Sequence, residues 1–288
     1  MTQVFLVTGA SRGLGREIAL AVLDAGGQLV AGARNPHDLD DLAPIYGDRI
    51  RVVALDVTDP QAARSAVQTA LDVFGRIDVV VNNAGYANLA SVEDVTLADF
   101  RAQVDTNLFG VVNVTKAALP VLREQGYGHI VQISSVGGRL ATAGLSAYQA
   151  AKWAVGGFSS VLAREVAPLG IKVTVLEPGG MRTDWAGSSM TVPAISAAYQ
   201  PTVGAMAAMH DGAATQAGDP AKVAQVVLQV AAMDQPPLRL LLGTDAFTYA
   251  VAAGREQLEQ DQLWRELSMS TDHEEATAAH LDPLAGQK

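Results

Sequence analysis

The 288-residue sequence contains no cysteine, which excludes disulfides, thiolate nucleophiles and cysteine-ligated zinc and permits a reducing compartment. Charge is also sparse. Only 17% of residues are charged, and 20 Lys+Arg against 30 Asp+Glu leave a net charge of −10. That balance repels nucleic acid and anionic membranes, so a small molecule is the expected partner. The five histidines, His37, His129, His210, His273 and His280, lack the i,i+4 pairing and acidic company of a metal site, and no metal is expected. The longest stretch without charge, 185–210, is interrupted by Pro193 and Pro201 and makes a poor membrane span. With no basic leader ahead of the apolar run 4–7, the expected location is cytoplasmic.

Hydrophobic residues make up 49% of the chain, ample for a core. Short β-branched runs at 4–7, 29–31, 51–55, 79–81, 129–133, 172–176 and 238–242 predict seven strands. Most are apolar at every position, as strands covered on both faces must be. Between them, 14–25, 60–74, 97–125, 147–168 and 220–233 carry apolar residues at helical spacing, some opened by Asp-Pro steps. The pattern predicts an α/β fold: a doubly wound, Rossmann-like parallel sheet of seven strands with helices on both faces. No linker or repeat divides the chain, so residues 1–288 read as one domain. Residues 247–267 read as helical, and the polar stretch 268–288 as a flexible tail.

Thr8-Gly9-Ala10-Ser11-Arg12-Gly13-Leu14-Gly15 follows the first strand and enters the first helix. Glycines there let main-chain amides face a pyrophosphate while the helix start offers its positive end to the same anion. A ligand-free tight turn uses the same residues. The spacing is Gly-xxx-Gly-x-Gly, and here the chain resembles the short-chain dehydrogenase/reductase family. The resemblance extends in family order through Asn82-Asn83-Ala84-Gly85, Asn107, Ser134-Ser135, Tyr148-xxx-Lys152 and Pro178-Gly179, and covers roughly residues 3 to 245.

A carboxylate at the end of the second strand would hold a ribose 2′-OH, whereas a basic residue accommodates a 2′-phosphate. Here Arg34 ends that strand and Arg12 lies in the glycine turn, so two guanidiniums can flank one phosphate. This resembles the family's NADP pattern; a solvated Arg34, with NAD as the working dinucleotide, is the alternative. Asp56, with Val57 beside it, resembles the residue the family places near the adenine, or is a turn or N-cap aspartate.

Hydride transfer to a carbonyl builds negative charge on oxygen and needs an acid beside it. Tyr148 and Lys152, four apart on a helix, share one face, and the ammonium is expected to draw the phenol's pKa down toward neutrality. The resemblance implies that Lys152 also holds the nicotinamide ribose, Ser135 the substrate oxygen, and Asn107 a relay water. It assigns Gly9, Ser11, Arg12, Gly13, Leu14, Gly15, Asn83, Ala84 and Gly85 to the cofactor, together with Tyr148, Lys152, Pro178, Gly179 and Thr183, and Ser134 to cofactor contacts at the strand end. Asn82 is grouped with the same support.

The segment 184–218 falls where the family carries a substrate lid. Trp185, Met190, Ile195, Tyr199, Met206 and Met209 could wall an apolar pocket or be buried at a subunit contact, with Arg139 and Arg182 as the nearby cations for any substrate carboxylate. A second apolar face on 97–125 and 147–168, including Ala150, Ala154 and Gly157, points to a homodimer or homotetramer, or admits the cofactor. The implied activity is NADP(H)-dependent interconversion of a small apolar carbonyl and its alcohol. The competing class is a non-catalytic NADP-binding sensor on the same fold.

Overall fold

The computed structural model describes residues 2–183, 190–209 and 216–282. Seven parallel strands form one sheet: β1 (Val4–Thr8), β2 (Gln28–Ala33), β3 (Ile50–Ala54), β4 (Val79–Asn82), β5 (Gly128–Ile133), β6 (Ile171–Pro178) and β7 (Arg239–Leu242), in the order β3-β2-β1-β4-β5-β6-β7. Successive residues of β1 point to opposite layers. Phe5 and Val7 pack with helices α1 (Gly13–Asp24) and α6 (Pro220–Ala232), whereas Leu6 packs with α2 (Pro60–Phe74), α4 (Gly110–Gln125) and α5 (Ser146–Val166). Both layers are dry, which is why β1, β4 and most of β2 carry no polar face. Truncating a side chain as buried as Leu6 or Ile130 would cost about 2–5 kcal/mol.

Helix boundaries follow local chemistry. The Asp59 carboxylate accepts from Gln61 N at 2.7 Å and caps α2, which ends at Gly75 with φ 75°. Asp219 caps α6 in the same way. The continuous helix expected over 97–125 is instead interrupted: α3 (Leu97–Val104) passes through a π turn at Asp105–Phe109 before α4 begins. Within that turn Asn107 Nδ2 donates 2.8 Å to the Gln103 carbonyl four residues back, so a side chain takes an acceptor that a regular helix would give to a main-chain amide.

After β7, α7 (Thr244–Leu263) buries Ala246 and Ala250 in its first two turns and exposes Leu258 and Leu263 farther along. The expected helix over 247–267 is therefore split between α7 and a short helix, Arg265–Met269. Among the described residues no helix is long and apolar enough to cross a membrane.

Candidate active site

At the C-terminal ends of the strands, where β2 and β4 diverge on either side of β1, lies a cleft of about 1110 Å³. Such a switch point is where a doubly wound sheet leaves room for a ligand. At one end the glycine turn leads into α1. A Cβ on Gly15 would stand 2.1 Å from the Gly9 carbonyl oxygen, and Gly13 has φ 51°, so both positions require glycine. Arg12 caps α1 without a side-chain hydrogen bond, and the first turn holds no acid, which leaves its amides facing the cleft for an anion. Arg12 and Arg34 line the cleft and are exposed, and neither is in an ion pair among the described residues.

Asp56 and Val57 border the same end. The Asp56 carboxylate accepts from Thr58 N at 2.9 Å and Thr58 Oγ1 at 2.8 Å, so it closes a turn while facing the cleft. Asn83 Nδ2 donates to the carbonyls of Thr8 and Gly9, and Thr8 Oγ1 accepts from Asn83 N and Ala84 N. These bonds staple the β4 turn to the glycine turn, a role for Thr8 that only the fold reveals. Asn82 does not reach the cleft. It is buried, and its amide donates to Gln132 and Thr115.

The other end is buried. Tyr148 and Lys152 lie on one face of α5, with Lys152 Nζ 5.7 Å from the centre of the phenol ring. Nζ donates 2.8 Å to the Ile133 carbonyl at the end of β5. Here the expected electrostatics fails. Burial pushes the Tyr148 phenol up to about 12, a hydrogen bond with Ser135 offsetting only part of that, and burial lowers Lys152 to about 8. Desolvation disfavours both charged forms. Ser135 Oγ also accepts from Gly137 N at 3.0 Å, while Ser134 donates to the Lys152 carbonyl and so ties β5 to α5.

Asn107 is fully buried. Its Nδ2 donates to Gln103 O and Tyr86 O, and its Oδ1 accepts from Tyr86 N at 3.2 Å. A Cβ on Gly85 would meet Asn107 Oδ1 at 2.6 Å. Across the cleft the chain 178–183 leaves β6, and Thr183 comes within 3.5 Å of where a Gly13 side chain would begin.

Apart from Asn82, the residues assigned to catalysis or cofactor from the sequence thus border one cleft. Leu55, Tyr86 and Asn88 border it too and were not anticipated, and Thr191 and Gln216 reach it from the expected lid segment 184–218. Of the residues expected to wall a substrate pocket, Trp185 lies outside the described residues, and Met190 packs against the cluster of Ala87, Leu89, Leu145, Tyr148 and Val203 while its neighbour Thr191 faces the cleft. Ile195, Tyr199 and Met206 join that cluster, but Met209 is exposed. The segment is latched by polar bonds from Ser196 to Asp94 and from Tyr199 to Glu93. Arg139 is unavailable as a carboxylate clamp, because it and Arg239 flank buried Glu177; Arg182 donates to the Gln216 carbonyl. On α5, Ala150, Trp153, Gly157 and Val161 are exposed and Ala154 is half-buried. Among the described residues no group of three His, Asp or Glu is placed to hold a metal.

A family model described as short chain dehydrogenase matches residues 3–192. The chain belongs to the short-chain dehydrogenase family. This short-chain dehydrogenase is 55% identical over 273 residues to oxidoreductase BOA17 of Botryotinia fuckeliana, covering 94% of its own length and 100% of the relative's. It is 39% identical to a short-chain dehydrogenase of Streptomyces avermitilis whose crystal structure superposes with a TM-score of 0.89, covering 95% of this chain and 99% of that one. An alcohol dehydrogenase of the archaeon Thermococcus sibiricus, solved with 5-hydroxy-NADP, is 25% identical with a TM-score of 0.70 over 84% of this chain and 96% of that one. The family match ends at 192, yet the walls of this dehydrogenase's cleft include Gln216.

Proposed function

We propose that this oxidoreductase interconverts a ketone or aldehyde and the corresponding alcohol with NADP(H), Tyr148 serving as general acid or base. The observation that carries this reading is the division of one cleft. Unpaired Arg12 and Arg34 stand at its glycine-turn end, and Ser135, Tyr148 and Lys152 are clustered at the other. A dinucleotide fits the first end, because the uncapped start of α1 offers main-chain amides to a pyrophosphate, and Arg12 and Arg34, in no ion pair among the described residues, are available to a 2′-phosphate.

Bound NADPH supplies the hydride, and NADP accepts it in reverse. The Ser135 hydroxyl holds the carbonyl oxygen beside the Tyr148 phenol, which gives its proton as charge develops on that oxygen. A phenol held near 12 stays protonated across the physiological range, and that is the form reduction consumes. The Lys152 ammonium, anchored to Ile133, is placed to stabilise the phenolate left behind and to hold the ribose. Asn107 has spent both amide hydrogens but keeps a lone pair on Oδ1, enough to orient one relay water.

The apolar cluster behind Tyr148 and the lid residues packed on it favour an apolar small molecule, with Asn88, Thr191 and Gln216 meeting its polar part. The exposed small and apolar residues of α5 favour assembly as a homodimer or homotetramer. The test is a titration of purified protein with NADPH and NADH by nicotinamide fluorescence, followed by a panel of apolar ketones and aldehydes. NADPH-selective binding with turnover is the expected result. Binding without turnover on the panel would shift the reading to a sensor, and binding of neither nucleotide would overturn it.

A further inference from the structure

The chain 178–183 is held from two sides by residues that lie beyond the family match. Gly179 N donates 3.0 Å to the Leu242 carbonyl at the end of β7. Gly180 N donates 2.8 Å to Asp245 Oδ2 in the first turn of α7. On the opposite side Gly218 N donates to Gly180 O at 2.9 Å, and Arg182 N donates to Gly218 O at 3.0 Å.

The two glycines have a steric reason that the strand end alone does not supply. Neither has a positive φ. A Cβ on Gly179 would fall 2.2 Å from Asp245 Oδ2, and one on Gly180 would fall 1.7 Å from Gln216 Oε1. The Asp245 carboxylate therefore occupies the space a side chain at 179 would need, and the start of a 20-residue helix is a favourable place for it. Pro178, Gly179, Gly180 and Thr183 all border the cleft, while Asp245 stands behind them.

We infer that Asp245 is a positioning residue for the dinucleotide: through Gly179 and Gly180 it sets the main chain against which the nicotinamide end of NADP(H) is seated. This rests on the NADP(H) reading above. Its contacts run to Gly179 and Gly180, which follow β6 beside the β5 end that carries Ser135, whereas Arg12 and Arg34 belong to the glycine turn and the end of β2.

The experiment compares NADPH with adenosine 2′,5′-bisphosphate, a probe that carries the 2′-phosphate and adenosine but no nicotinamide. Binding of each is measured by calorimetry to wild type, Asp245→Ala and Asp245→Asn. Loss of a charged acceptor for a main-chain amide is expected to weaken NADPH by about tenfold in Asp245→Ala while the bisphosphate stays within about twofold. Asp245→Asn keeps an acceptor oxygen and is expected to restore NADPH binding to within about threefold of wild type. If Asp245→Ala does not fold, Asp245→Ser, whose hydroxyl is too short to reach Gly180 N, is expected to show the same split. NADPH binding unchanged in the Ala or Ser variant overturns the inference, as does parallel loss of both ligands, or an Asn variant as weak as Ala. Those results leave the cofactor reading standing, whereas a wild type that binds neither ligand removes both.

Discussion

The two ends of the sheet are built from the same parallel strands but treat polar groups in opposite ways. At the N-terminal ends several buried polar groups satisfy one another, His129 Nδ1 being an exception. Asp78 accepts from Val4 N at 2.6 Å and from Arg76, Gln125 bridges both polar atoms of Ile77, and Lys172 donates to the Met233 carbonyl. At the C-terminal ends, α1 begins without a side-chain cap and two arginines face a cleft without ion-pair partners among the described residues. Parallel strands expose main-chain groups at both ends, so the contrast comes from side chains. One end spends them on closure and the other keeps them for a ligand.

The sharpest way to separate the ends is Tyr148→Phe. It removes the proposed proton donor but keeps the ring in its apolar cluster, so kcat should fall by about 10³-fold with NADPH affinity and melting temperature unchanged, read from steady-state turnover and thermal melts. Asp78→Ala should do the reverse. It strands the buried Val4 amide and removes the carboxylate partner of Arg76, and denaturant titration should show a loss of about 3 kcal/mol while kcat at permissive temperature is retained.

A smaller effect should come from Arg34→Asp. Fluorescence titration should show NADPH binding weakened by about 10–100-fold and NADH binding no worse than in wild type. Equal losses for both nucleotides would erase the assignment of Arg34 to the 2′-phosphate.

The smallest effect belongs to His129, near the start of β5. Thr174 Oγ1 donates to the Pro237 carbonyl and so must accept from His129 Nε2–H, which leaves buried Nδ1 without a partner for a proton. Burial, with Lys172 adding repulsion, lowers this imidazole to about 4 from 6.5. The unfolded chain therefore binds the proton first as pH falls. The stability that His129 contributes is present above 6.5 and drains away down to about 4, amounting to about 2 kcal/mol between pH 7 and pH 5. His129→Gln should flatten urea midpoints across that window. An unchanged slope would mean that His129 is not the group responsible.

Much of this architecture is written locally. Strands sandwiched between helix layers read as unbroken apolar runs, and Asp59-Pro60 with Gly75 marks both ends of α2 because capping depends on neighbours in sequence. The glycine turn and the Tyr148–Lys152 spacing are legible for the same reason. What escaped depends on distant residues or on solvent. Four-residue spacing brings Lys152 near Tyr148 but says nothing of how dry the site is, so the direction of the phenol's pKa was missed. The π turn adds one residue to a helical circuit without disturbing the apolar pattern enough to be seen. Thr191 rather than Met190 faces the cleft because Leu89 and Asn88, a hundred residues away, pin its main chain.

The strand order carries a consequence for synthesis. After β4, each new strand adds in turn to the same open edge, β5, then β6, then β7. Translation at about 5–20 residues per second separates the emergence of β4 from that of Asp245 by on the order of ten seconds or more. During that interval the nascent chain already has its glycine turn, Arg12 and Arg34, but the main chain at Gly179 and Gly180 still lacks Leu242 and Asp245 as partners. Under the NADP(H) reading, the residues proposed for the adenosine half are thus synthesised early, and the main-chain supports proposed for the nicotinamide half come late.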